Sequence, residues 1–308
     1  MAEASVQTAT PTGAPQKRRS RGLSEKKLAF FMVSPSMALI ALVAAYPIIY
    51  AIWLSLHEYS VRVAGLSRWA GFSNYSEALS NPDFWDAMQM TLTFTVASVF
   101  LELIIGLAMA LAMHEAFRGQ GLLRTVILVP WAVLTVVTGI MWRSIFESPQ
   151  GLVNSIIGGD TVWLGEEPHA LIVIIVADVW KTAPFMALLI LAGLQVIPGE
   201  IYEAAKVDGA TMWQRFRKIT LPLLMPAILV ALIFRTLDAL RVFDLPYVLT
   251  NGANGTTSLS IIAQQTFAEN RIYGLNSAYA ILTFITVMIV AFTYIRTVGG
   301  NIRGLAED

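Results

Sequence analysis

Four residues alternate in charge at a spacing of three: Arg235, Asp238, Arg241 and Asp244. They lie in an otherwise apolar segment, where an ionisable side chain is costly and marks a pathway, a relay or a binding site. On an ideal helix each step of three turns back by about 60°, so neighbours can pair while Arg235 and Asp244 face nearly opposite ways. Such a segment must be enclosed by protein, line a polar cavity, or unwind near Pro246. Asp178 and Lys181, again three apart, can pair on one face of a second apolar run. Glu102 stands alone in a third and reads as a hydrogen-bonded packing residue. Three chemistries are open to these groups. They can form a hydrogen-bonding wall for a polyol, with Trp180 and Phe185 offering flat rings to sugar C–H faces. They can form an internal ladder of salt bridges. Or Arg235 and Arg241 can receive an anionic solute such as a sugar phosphate, since arginine suits phosphate geometry.

The elements that must position these charges are membrane spans. The chain has 308 residues, 56% hydrophobic and 14% charged, against roughly a quarter charged in soluble domains. Its formal net charge is zero, which gives no electrostatic case for nucleic acid. It has no cysteine, and His57, His114 and His169 are far apart, so no metal site is expected. No GxxxxGK[ST] loop is present, so ATP is not expected to bind this chain that way. Six apolar runs predict an all-α integral membrane protein: about Leu28–Leu56, Ala87–Met113, Thr125–Trp142, Ala170–Ile197, Leu221–Tyr247 and Ile272–Ile295. Pro35 and Pro47 should bend the first, and its length excludes a cleaved signal peptide. Residues 1–27 read as a disordered basic tail, 28–300 as the six-span domain and 301–308 as a short C-terminal tail.

Lys and Arg counts orient the spans. The N-terminal segment, the 114–124 and 198–220 loops and the C-terminal tail hold fourteen, and the three alternate loops hold four (Arg62, Arg68, Arg143 and Arg271). Both termini and the 198–222 loop are therefore expected in the cytoplasm, with the chain multi-pass in its membrane.

The 198–222 loop is polar, yet patterned. Pro198-Gly199 ends the fourth span, and Glu200 to Ala205 restart a helix with acidic residues near its N-terminus. Gly209 then turns the chain, and Trp213 and Phe216 oppose Arg215, Arg217 and Lys218 on a second short helix. By pattern alone this could be an interfacial helix lying on the inner leaflet. However, Glu203-Ala204-Ala205, three residues, Gly209, nine residues, Ile219, one residue and Leu221-Pro222 match the EAA-x3-G-x9-I-x-LP signature without a gap. On this spacing the chain resembles the permease subunits of bacterial ATP-binding-cassette (ABC) importers. LVPW at 128–131, DVWKTAPF at 178–185 and RTLDALRVFDLPYVLTNG at 235–252 resemble the carbohydrate permeases of the maltose and trehalose type.

That resemblance implies a type I ABC importer permease fold with a cytoplasmic coupling helix, in a bacterial plasma (inner) membrane. Glu203, Ala204, Ala205, Asp208 and Gly209 would dock in a groove of a separate ATPase. It implies a second permease subunit in a heterodimer, two ATPase subunits that bind ATP and Mg, and an extracellular solute-binding protein. No cofactor is implied for this chain itself, and no catalytic residue. Carried across by position, the substrate site would draw on Lys181, Thr182, Phe185, Arg235, Asp238, Val242 and Asp244, and Asp178 joins them as part of the polyol wall. The expected cargo is a trehalose- or maltose-like disaccharide. The alternatives are glycerol phosphate or another anionic solute in the same class, a cation-coupled secondary transporter using Asp178, Asp238 or Glu102, and a membrane scaffold.

Overall fold

The structure, a computed structural model, describes residues 25–60, 67–115, 118–147, 151–268 and 271–307. Most of the expected basic tail, residues 1–24 with Lys17, Arg18, Arg19 and Arg21, lies outside them. The first apolar run comprises α1 (Glu25–Ile40), a π turn (Ala41–Ala45) and α2 (Tyr46–Ser55). Pro47 accounts for the π turn. It has no N–H to give, and its ring would collide with the carbonyl of Val43 in a regular helix.

A small hairpin follows, the one departure from an all-α plan among the described residues. β1 (His57–Tyr59) and β2 (Ser67–Trp69) pair antiparallel, His57 opposite Trp69, with Glu58 and Arg68 in a 3.2 Å exposed ion pair. Next come α3 (Ser73–Ser80) and the long α4 (Pro82–His114), whose start is fixed by Pro82 and by the Asn81 side chain accepting from the Asp83 N–H at 3.0 Å.

The third expected span, Thr125–Trp142, is not one helix. It is α5 (Gln120–Ala132) and α6 (Thr135–Phe146), inclined at 89° about an extended Val133–Leu134. After α7 (Leu152–Ile157), α8 (His169–Val196) forms the fourth span, and α9 (Gly199–Val207) and α10 (Met212–Arg215) fill the polar loop. A second π turn (Phe216–Thr220) precedes Pro222 as the first precedes Pro47, and leads into α11 (Leu221–Ala239).

The fifth span, expected to reach Tyr247, stops at Ala239. Leu240–Phe243 is non-helical, and α12 (Asp244–Thr250) restarts with Pro246 inside it. The unwinding expected near Pro246 thus falls three to six residues ahead of it. α13 (Leu259–Ala268) and α14 (Tyr273–Glu307) complete the chain, so the backbone of 301–307 continues the last helix. Among the described residues, five helical runs are long and apolar enough to cross a membrane, or six when the bent α5–α6 pair is counted as one span.

The core centres on α8. α4 packs along its length, and α5 and α11 flank it. Phe94, Met113, Ile174, Met186, Ile190, Leu194 and Leu224 are fully buried there. Gly106 is required for this approach, since a Cβ on it would lie 2.8 Å from Met186 Cγ. The buried residues of α4 include Thr91, Thr95, Ser98, Glu102, Gly106 and Ala110, a small and polar stripe at steps of three and four. Val96, Phe100 and Ile104 on the same helix are exposed, as a lipid-facing surface requires.

Candidate functional site

Helical spacing delivers charges from three spans to one point. Asp178, Lys181 and Thr182 share a face of α8, Arg235 and Asp238 share a face of α11, and the polar stripe of α4 turns Glu102 inward. The Arg235 guanidinium sits at the centre, 3% exposed. Its Nε donates to Glu102 Oε2 at 2.5 Å and one terminal nitrogen to Glu102 Oε1 at 2.9 Å. That same nitrogen donates to Asp178, and the other donates to Asp238 Oδ2 at 2.8 Å. The Thr182 hydroxyl lies 2.7 Å from Glu102 Oε1 and 2.6 Å from the Asp178 carbonyl, and its single proton serves one of them at a time.

This geometry corrects two expectations. Asp178 does not pair with Lys181 among the described residues; it pairs with Arg235. Glu102 is not alone; it is fully buried and grips Arg235 through both carboxylate oxygens. The expected ladder along the fifth span also stops after its first rung. Arg235 and Asp238 pair, whereas Arg241 lies within the break and Asp244 beyond it, and neither forms an ion pair among the described residues.

Lys181 has a different task. Its Nζ donates to the Val133 carbonyl at 2.8 Å and reaches the Trp131 carbonyl at 3.5 Å. These are carbonyls that the break between α5 and α6 leaves without helical partners. An ammonium there also complements the negative end of α5. The elbow it holds presents Trp131, whose ring stacks on Phe185 at 5.8 Å between centroids.

A cavity of about 240 Å³ opens in front of these groups. Asp178, Lys181, Thr182, Arg235, Asp238, Val242 and Asp244 all line it. Phe185, expected beside them, does not; it stands behind Trp131, which does. Two thirds of the Asp238 side chain is exposed, so its carboxylate is the accessible member of the ion cluster. The unwound Leu240–Phe243 forms one wall, and its Val242 carbonyl accepts from the Ser258 hydroxyl at 2.7 Å. Non-helical backbone at membrane depth is tolerated where it lines a cavity in this way.

The second candidate feature is the 198–222 loop. α9 ends in a Schellman motif: the Ala210 N–H bonds to the Ala205 carbonyl at 2.9 Å and the Gly209 N–H to that of Lys206 at 3.1 Å, with Gly209 at φ +76°. Thr211 then opens α10 with a reciprocal capping box to Gln214, at 3.3 and 2.8 Å. The helices are joined with no slack residue between the two caps. Ala205 faces inward, while Glu203, Ala204, Asp208 and Gly209 are exposed.

The model of the family described as binding-protein-dependent transport system inner membrane component matches residues 102–298. The chain belongs to that family. This permease is 40% identical, over 97% of both chains, to the trehalose transport system permease protein SugA of Mycobacterium tuberculosis (strain ATCC 25618 / H37Rv). It is 44% identical, over 88% of its own length and 94% of the relative's, to the trehalose/maltose transport system permease protein MalF of Thermococcus litoralis. A chain of a bacterial alginate ABC transporter, solved with an alginate pentasaccharide-bound periplasmic protein, superposes with a TM-score of 0.76 over 88% of this chain and 93% of that one. At 22% identity that likeness speaks for the fold, the type I importer permease fold expected from the sequence. Membership of an importer family sets aside the cation-coupled carrier and the scaffold.

Sequence reasoning missed Trp131 and Thr135 as lining residues of the cavity, named Arg241 only as a receiver for an anionic solute, and did not find Glu102 as the buried partner behind Arg235. For Glu102 a signal existed: it lies in register with Thr91, Thr95, Ser98 and Gly106, the buried stripe of α4. For Trp131 and Thr135 there was none, because the elbow that turns them inward is held by a lysine about fifty residues away.

Proposed function

We propose that this permease forms half of the translocation pathway of an ATP-driven importer for a neutral disaccharide of the trehalose or maltose kind. The observation that carries the reading is the state of Arg235. Three carboxylates surround one guanidinium, and four of its five N–H groups are engaged by them. A guanidinium so occupied is a poor anion receptor. The cavity instead offers an accessible carboxylate, a hydroxyl and an indole ring, which suit hydroxyl groups and the C–H faces of a sugar. The names of the two relatives point to the same cargo. The one contrary observation is Arg241, which lines the cavity without a carboxylate partner among the described residues.

At about 240 Å³ the cavity falls short of the ~300–1,000 Å³ usual for small-molecule sites. It is one wall, and a second permease subunit supplies the other. Both termini and the 198–222 loop face the cytoplasm in this reading, which the excess of Lys and Arg in those segments supports. There Glu203, Ala204, Ala205, Asp208 and Gly209 dock on one of two ATPase subunits, which bind ATP and Mg. Closure of those subunits pulls α9 and, through it, the spans as rigid bodies. A solute-binding protein delivers the sugar on the other side. The permease performs no covalent chemistry.

The test is purification of the chain from its native membrane, followed by uptake assays in proteoliposomes. Recovery of an ATPase and a second six-span chain, with ATP-dependent accumulation of labelled trehalose or maltose, is the expected result. Inhibition by a sugar phosphate and not by either disaccharide would transfer the reading to an anionic solute. Asp238→Asn should leave assembly unchanged, because the side chain is largely exposed. It should lower the initial uptake rate about tenfold, the loss of one charge-assisted hydrogen bond to the cargo. Wild-type uptake in that variant would remove Asp238 from the site.

A further inference from the structure

We propose that Glu102 is a positioning residue for transport: it holds Arg235 from behind and so fixes where Asp238 presents its carboxylate. The inference rests on reading the cavity as the sugar site. Glu102 is fully buried and does not line the cavity, so it has no route to the cargo. Its two oxygens take the Nε edge of the guanidinium at 2.5 and 2.9 Å, a bidentate grip that sets the plane of the group. With that plane set, the far nitrogen meets Asp238 at 2.8 Å on the cavity side. Asp178 touches only the nitrogen shared with Glu102 and cannot define the plane by itself. Thr182, one helix away, steadies the grip at 2.7 Å from Glu102 Oε1.

The cluster separates this role from a purely structural one. Removing the charge of Glu102 leaves Arg235 paired with Asp178 and Asp238, so no charge is stranded. Glu102→Gln is therefore expected to assemble. What it loses is one of two fixed bonds, after which the guanidinium can turn toward its remaining carboxylates and draw Asp238 off the cavity.

The experiment uses the full importer in proteoliposomes, with its binding protein loaded with trehalose, and measures sugar taken up per ATP hydrolysed. Glu102→Gln should keep subunit stoichiometry and hydrolysis stimulated by the binding protein, and lower uptake per ATP about tenfold or more. The charge-swapped pair Glu102→Arg with Arg235→Glu restores a buried ion pair but places the guanidinium on α4. It should assemble and remain as poorly coupled. Wild-type uptake per ATP in Glu102→Gln overturns the proposal. So does recovery of transport in the swapped pair, which would make the residues an interchangeable lock. If Glu102→Gln does not assemble, the swapped pair decides: assembled and uncoupled sustains the proposal, and transport or failure to assemble overturns it. If Asp238→Asn and Arg235→Lys also transport normally, the sugar-site reading itself has failed. If they are impaired while Glu102→Gln is not, only the positioning role has failed.

Discussion

Arg235→Leu is expected to prevent assembly, not merely to slow transport. The side chain is 3% exposed and is the sole cation bonded to Glu102 and Asp178 among the described residues. Leucine would strand two carboxylates between α4, α8 and α11. Breaking a buried ion cluster from one side costs about 3–5 kcal/mol, far more than the intact cluster contributes, because charge is left without a partner. That is a large share of a typical folding free energy of about 5–15 kcal/mol. The chain recovered from membranes should fall several-fold, any complex that forms should melt at lower temperature, and uptake should be absent. Arg235→Lys, which keeps a cation but not the planar fork, should assemble and transport poorly. Normal yield and melting for Arg235→Leu would mean that the three spans are held together by packing alone.

Glu203→Lys should abolish transport by a different route. Glu203 is exposed on α9, and the caps that shape the helix, at Gly209 and Thr211, are made by other residues. The variant should therefore insert and fold normally. What changes is the sign of charge on the face proposed to meet the ATPase, where lost charge complementarity would weaken docking and remove coupling. Uptake should fall by about a hundredfold or more, equivalent to about 3 kcal/mol of lost coupling, with less ATPase recovered on purification. Normal uptake in Glu203→Lys would remove α9 from the interface.

Much of this was legible in the residues, and the failures share a cause. The spans could be counted because apolar runs of about twenty residues announce themselves. The EAA segment could be placed because its helix is built from local signals, a proline start, a glycine at positive φ and a capping box. The breaks could not be placed. The elbow at Val133–Leu134 depends on Lys181, and the unwound Leu240–Phe243 depends on Ser258. Each partner is distant in the chain. Pairing failed for the same reason. Spacing alone matched Asp178 with Lys181, three residues away, whereas burial gave Asp178 to an arginine on another span and left the lysine to carbonyls. Local sequence lists which groups can pair; the packing of α4, α8 and α11 decides which do.

The π turn at Phe216–Thr220 sets how the loop is aimed. A π turn holds one residue more than the α turn it replaces, and one residue is about 100° of rotation about the helix axis. α9 and α10 are capped directly to each other, so the turn sets the bearing of the two together relative to α11. Deleting one residue from 216–220 would leave Glu203 to Gly209 unaltered and point them at a different quadrant. The bearing of α9 is thus stored in the winding of a neighbouring segment, where a single deletion would redirect it without touching the motif.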